Sequence, residues 1–201
     1  MKILFQGDSV TDAGRTSVNG ENLGRGYPLF VAGTLRSQYP DKGFEVVNRG
    51  ISGDVVEGVR QRLDEIIPDN PSKIYLITGT NDLINEPELS AVGLWDRYEK
   101  LIKDIRDNLP GTTLYVQSML PLNPKTKFYE GFNERAAELN KLIEAAHERY
   151  DYIYLDIASR LTDENGDLNA EYTTDGIHLS AAGYFVWAAE LAKGSRMMTQ
   201  F

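Results

Sequence analysis

Ile3-Leu4-Phe5-Gln6-Gly7-Asp8-Ser9 sets a short apolar run against a turn that ends on a serine. The run has the length and composition of a buried strand, and the pattern returns along the chain. Apolar runs at 3–5, 44–47, 74–78, 113–117 and 152–155 are five candidate strands, rich in the β-branched and aromatic residues that favour a pleated surface. Between and after them, helical spacing covers 27–38, 55–67, 89–109, 128–150 and 180–193. Strict alternation implies right-handed crossovers and a parallel sheet with helices on both faces. The expected fold is therefore α/β, a three-layer α/β/α, flavodoxin-like architecture with a five-stranded parallel sheet in the order 2-1-3-4-5.

Local signals refine that frame. Asn108-Leu109-Pro110-Gly111 ends the third helix, since proline cannot continue it and glycine tolerates the turn. Ser180 can cap the last helix, whose Tyr184, Val186, Trp187 and Leu191 supply an apolar face for the sheet. Two stretches, 11–26 and 156–174, lack clear periodicity.

The chain of 201 residues fits one compact domain, 1–201, with 41% hydrophobic and 25% charged residues and no repeat. A formal net charge of -9 without a basic cluster argues against a nucleic-acid partner, because phosphate binding needs concentrated Lys and Arg. No run approaches the roughly 18 apolar residues of a membrane span, so no membrane partner is expected. Zero cysteines exclude disulfides, thiolate metal sites and a cysteine nucleophile. The apolar block before Gln6 is far shorter than a signal peptide requires, and a cytoplasmic location is the expectation.

Four motifs stand after the candidate strands, closely or at one remove: Gly7-Asp8-Ser9, Gly50-Ile51-Ser52-Gly53-Asp54, Gly79-Thr80-Asn81-Asp82 and Asp175-Gly176-Ile177-His178. In open parallel sheets ligands bind outside the carboxyl ends of the strands, so one crevice can collect all four. A serine hydroxyl needs a base within reach to become a nucleophile. His178 is the candidate, because the only other histidine, His147, sits in the charged stretch His147-Glu148-Arg149 and reads as solvated. Asp175, three positions earlier, is close enough in a turn to hold one imidazole nitrogen. Acyl transfer builds negative charge on the carbonyl oxygen, and Ser9 N–H, Gly53 N–H and the Asn81 amide are candidate donors for it.

These residues resemble the SGNH or GDSL-type hydrolases, whose name records serine, glycine, asparagine and histidine in separate blocks. The resemblance spans nearly the whole chain. It implies that Ser9 is the nucleophile and an oxyanion donor, that Gly53 and Asn81 are the other two donors, and that Asp175 and His178 complete the triad. Gly7-Asp8-Ser9-Val10-Thr11-Asp12-Ala13-Gly14-Arg15 followed by Gly24-Arg25-Gly26-Tyr27-Pro28 looks most like the bacterial branch that includes carbohydrate acetylesterases. The implied reaction is hydrolysis of a short-chain ester, acetyl by expectation, on a small-molecule carbohydrate substrate through an acyl-enzyme. No metal or cofactor is required. A lysophospholipase or thioesterase of the same fold is the alternative.

Other readings remain open on the sequence. Asp8, Asp12, Asp54 and Asp82 lie on loops of one face and could hold Mg²⁺ for phosphoryl transfer, although they read better as loop-bracing acceptors. A non-catalytic carbohydrate-binding protein could keep the fold. Relatives often carry an aromatic residue after the third block, where this chain reads Leu83-Ile84-Asn85; Tyr27, Tyr129 or Trp95 could substitute, or be core. Arg15 could contact substrate or pair with Asp12 or Asp54. Segment 121–131 could wall the cleft or be a surface connector. Oligomeric state is not legible.

Overall fold

The computed structural model describes residues 1–16 and 22–193. Strands β1 (Lys2–Gln6), β2 (Glu45–Asn48), β3 (Lys73–Leu76), β4 (Thr113–Gln117) and β5 (Ile153–Leu155) form one sheet in the order β2-β1-β3-β4-β5. Every pairing is parallel, with Leu4 opposite Val47 on one side and Ile74 on the other. Helices α1 (Ser9–Asp12), α2 (Tyr27–Gln38), α3 (Val56–Gln61), α4 (Leu63–Ile66), α5 (Thr80–Asn85), α6 (Ala91–Asn108), α7 (Phe132–Ala145) and α8 (Ala181–Lys193) fill the connections.

The two-residue period of the strands divides the core between the faces. Leu4, Ile74, Leu76, Leu114 and Val116 point to the side covered by α3, α6 and α7. Ile3, Phe5, Tyr75 and Tyr115 point to the side covered by α2 and α8. That second face is aromatic: Tyr27 of α2 stacks on Trp187 of α8 with centroids 4.1 Å apart, and Phe5 meets Tyr27 edge-on at 5.2 Å. Buried polar tips find partners, as Trp187 Nε1 does in donating to Gln117 Oε1 at 2.8 Å. The stack ties α2 and α8 to each other across β1, whose end carries Ser9.

Several boundaries differ from those the periodicity predicts. The stretch 55–67 breaks at Arg62, which closes a three-residue turn onto Val59 O and sends its guanidinium to Asp54. A tertiary partner interrupts a helix that spacing alone would continue. The stretch 128–150 becomes helical only from Phe132, because Gly131 at φ 63° turns the chain into it, and it stops at Ala145. Helices α1 and α5, of four and six residues, are too short to print a helical period and were not anticipated. Among the described residues no helix is long and apolar enough to cross a membrane.

Candidate active site

β1 ends at Gln6 and the chain turns at once into α1, so Ser9 occupies the first helical position. Asp8 caps that turn by accepting from Val10 N at 3.1 Å, and Ala13 closes it in the left-handed region at φ 47° with its N–H on Ser9 O. A first-turn N–H lacks an intrahelical acceptor, which leaves Ser9 N–H free to face the cleft.

His178 arrives from a turn rather than a strand end. Asp175 Oδ1 accepts from Ile177 N at 2.9 Å and from His178 N at 2.7 Å, so the carboxylate folds the turn around itself. Its second oxygen lies 2.7 Å from His178 Nδ1, and His178 Nε2 lies 3.0 Å from Ser9 Oγ. Burial pushes the Asp175 carboxyl up, but its hydrogen bonds to the His178 side chain and to the backbone at 178 and 177 outweigh this and hold it at about 2. An ionised carboxylate only accepts, so Nδ1 carries the proton and Nε2 is left to accept from the serine hydroxyl. The His178 and Asp175 side chains are 44% and 52% exposed, which keeps the pair open to a substrate.

Segment 121–131 supports this turn. Asn123 N donates to Gly176 O at 2.9 Å, and Asn123 Nδ2 donates to Leu168 O at 2.7 Å. It braces the turn that carries His178 from behind instead of lining the cleft beside Ser9.

The second and third blocks meet through one bond: Asn81 Nδ2, on α5, donates to Asp54 O at 2.8 Å. One amide hydrogen is thereby spent on orientation, and the other is left for a ligand. Gly53 sits at φ 82° with open space where a side chain would stand, and no described residue accepts from its N–H. Ile51 N to Gly7 O at 3.0 Å and Ser52 N to Asp12 Oδ2 at 3.0 Å bind this loop to the serine segment.

The four aspartates do not converge on a metal. Asp54 pairs with Arg62, Asp82 accepts from Val56 N at 2.9 Å and from Arg97 at 3.0 Å, and Asp12 accepts from Arg15 N and Ser52 N. Asp54 braces its own segment, while Asp12 and Asp82 each tie one loop to another. Among the described residues no group of three or more acidic or histidine side chains is placed to hold a metal ion. Asp8 is 1% exposed and its Oδ2 has no partner. Desolvation dominates there and pushes its carboxyl up to about 7, against the Val10 N bond and the charge of His178.

Arg15 is structural. Its guanidinium donates to the carbonyls of Asn48 and Gly50, and its Nε lies 3.6 Å from Asp12, not near Asp54. Tyr27 is core, and Trp95 packs toward Tyr150 at 6.2 Å. Tyr129 borders a separate hollow with Lys127 and Phe132. The aromatic that does reach the cleft is Tyr184, together with Arg25; the cleft, about 480 Å³, is lined by these two and by Ser9, His178, Ser52 and Thr174 among others. Tyr184 packs in the core as the spacing of α8 predicts, 6% exposed, and also borders the cleft; nothing in the spacing marks Arg25 as a cleft residue.

Residues 5–186 match the model of the GDSL-like lipase/acylhydrolase family. The chain belongs to that family. It is 29% identical over 203 residues to an acetylxylan esterase of Geobacillus stearothermophilus, covering 93% of this chain and 90% of the relative. A structure of an acetyl xylan esterase from the same organism superimposes with a TM-score of 0.81 at 25% identity, covering 96% of this chain and 93% of the other. A putative GDSL-like lipase from Parabacteroides merdae shares the fold with a TM-score of 0.85 at 23% identity, over 98% and 95% of the two chains. The chain is also 27% identical over 153 residues to an N-acylneuraminate cytidylyltransferase of Escherichia coli, covering 74% of this chain but 35% of that protein.

Proposed function

We propose that the protein is a serine esterase that removes short acyl groups, acetyl first among them, from a carbohydrate. The observation that carries this reading is the hydrogen-bond chain from Ser9 Oγ through His178 to Asp175, at 3.0 and 2.7 Å. In the first step Ser9 Oγ attacks the ester carbonyl while its proton passes to His178 Nε2. The negative charge that appears on the carbonyl oxygen is met by Ser9 N–H, Gly53 N–H and the second Asn81 Nδ2 hydrogen. Collapse breaks the bond to the sugar oxygen, which takes the proton from His178. Water then repeats the sequence on the acyl-enzyme, with His178 as base, and releases acetate and free Ser9. Asp175 keeps Nδ1–H oriented and stabilises the imidazolium formed in each step.

Support for a polyhydroxylated alcohol comes from the cleft walls, where Ser52, Thr174 and Ser180 offer polar groups beside the nucleophile. The acetylxylan esterase likeness points the same way. The whole described chain acts as one catalytic unit in this reading, and the cysteine-free composition is in keeping with a cytoplasmic enzyme. Hydrolysis of p-nitrophenyl esters from acetate to decanoate, with acetylated xylosides alongside, tests it. The expected result is a preference for acetate and Ser9-dependent deacetylation of the sugar. A preference for long chains would move the assignment to lipid or thioester substrates.

A further inference from the structure

Arg25 is the feature of the cleft that the esterase reading leaves without a task. Arg25 N donates to Ala13 O at 3.0 Å, so its position is set by the residue that closes the nucleophile helix. Its guanidinium lies over Gly14: a Cβ at that position, where φ is +72°, would stand 2.8 Å from Arg25 Nη2. The glycine leaves room for the head of the side chain beside Ser9. Yet that head is exposed and makes no ion pair or hydrogen bond among the described residues. Every other arginine described, Arg36 excepted, has a carboxylate or carbonyl partner. The nearby carboxylates are occupied elsewhere, Asp12 by Arg15 and Ser52 N, and Asp175 by His178. An unpaired cation thus borders the catalytic serine of a protein whose net charge is -9.

Resting on the esterase reading, we infer that Arg25 is a specificity-determining residue that receives a carboxylate on the alcohol part of the substrate, so that the preferred substrate class is an acetylated acidic sugar, a uronate. A single guanidinium presents two parallel N–H donors that match a carboxylate. The cleft holds one arginine and no lysine, a single positive charge that balances a carboxylate and falls short of a phosphate monoester's near-double charge.

The test compares kcat/KM on methyl glucuronoside and methyl glucoside acetylated at the same hydroxyl, for the parent enzyme, Arg25→Gln and Arg25→Lys, with p-nitrophenyl acetate alongside. The expected parent ratio favours the uronate about fivefold or more at low salt and shrinks as salt is added. Arg25→Gln brings the ratio to about one, and Arg25→Lys keeps part of it. The change should appear mainly in KM. A parent ratio of one or less, or a ratio that Arg25→Gln does not move, overturns the inference. So does an enzyme that hydrolyses p-nitrophenyl acetate but neither sugar. Absence of Ser9-dependent hydrolysis of p-nitrophenyl acetate would instead defeat the esterase reading itself.

Discussion

Ser9 leaves the sheet directly from β1 into a capped helix whose neighbours Val10 and Thr11 are buried, whereas His178 stands on a turn that no strand feeds. The serine segment inherits its position from the core: Asp8 beneath it is 1% exposed, and Phe5 before it lies in the aromatic stack with Tyr27 and Trp187. His178 inherits its position from hydrogen bonds, with Asp175 folding the turn and Asn123 holding Gly176 from behind. One half of the site is held by packing and the other by polar contacts near solvent. Changes in the turn should therefore cost activity with little stability, and changes around the serine should cost or shift both.

The largest effect that would break this contrast comes from His178→Ala. Turnover of p-nitrophenyl acetate should fall by about 10⁴-fold or more, while the unfolding free energy from denaturant titration changes by no more than about 0.5 kcal/mol, as for other exposed positions. A large loss of stability would show that the turn belongs to the core after all. Asn81→Ala comes next. As one of the proposed oxyanion donors, its loss should lower kcat by roughly 10² to 10³-fold with KM little changed, and a drop confined to KM would assign Asn81 to substrate binding.

Asp8→Asn probes the buried side and has the smallest effect on rate. The Asp8 carboxyl is raised to about 7 in the fold against 3.8 for the free group. The native state then holds a proton that the unfolded chain releases, so stability is greatest below about pH 4 and declines until about pH 7, by roughly 1 kcal/mol per pH unit. Asparagine keeps the acceptor for Val10 N and removes the titration. Unfolding measured at pH 5 and pH 8 should show the variant gaining on the parent at the higher pH; equal gaps would mean that Asp8 is not protonated in the fold.

The sheet was legible because apolar runs of strand length recur in strict alternation with helical spacing, and residues 3–5 and 113–117 name strands almost to the residue. Three of the motifs were legible because each is a turn bearing reactive groups close after such a run, and the fourth because aspartate and histidine stand three positions apart in a turn. What could not be read has physical causes. The break at Arg62 depends on Asp54 eight positions earlier, a pairing that spacing does not record. Helices of four or six residues complete too few turns to show a period. Tyr184 reaches the cleft because α8 packs on α2, and Arg25 because its N–H bonds Ala13 O, so their meeting beside Ser9 exists only in three dimensions.

The central claim is that Ser9 carries the acyl group. The direct measurement is to quench the enzyme in acid during turnover of p-nitrophenyl acetate and map the acetyl group by peptide mass spectrometry, with Ser9→Ala run in parallel. The account predicts one acetyl on the peptide bearing Ser9 and loss of turnover in the variant. Near-parental hydrolysis by Ser9→Ala, or acetyl on another residue that forms and decays at the turnover rate, would contradict it.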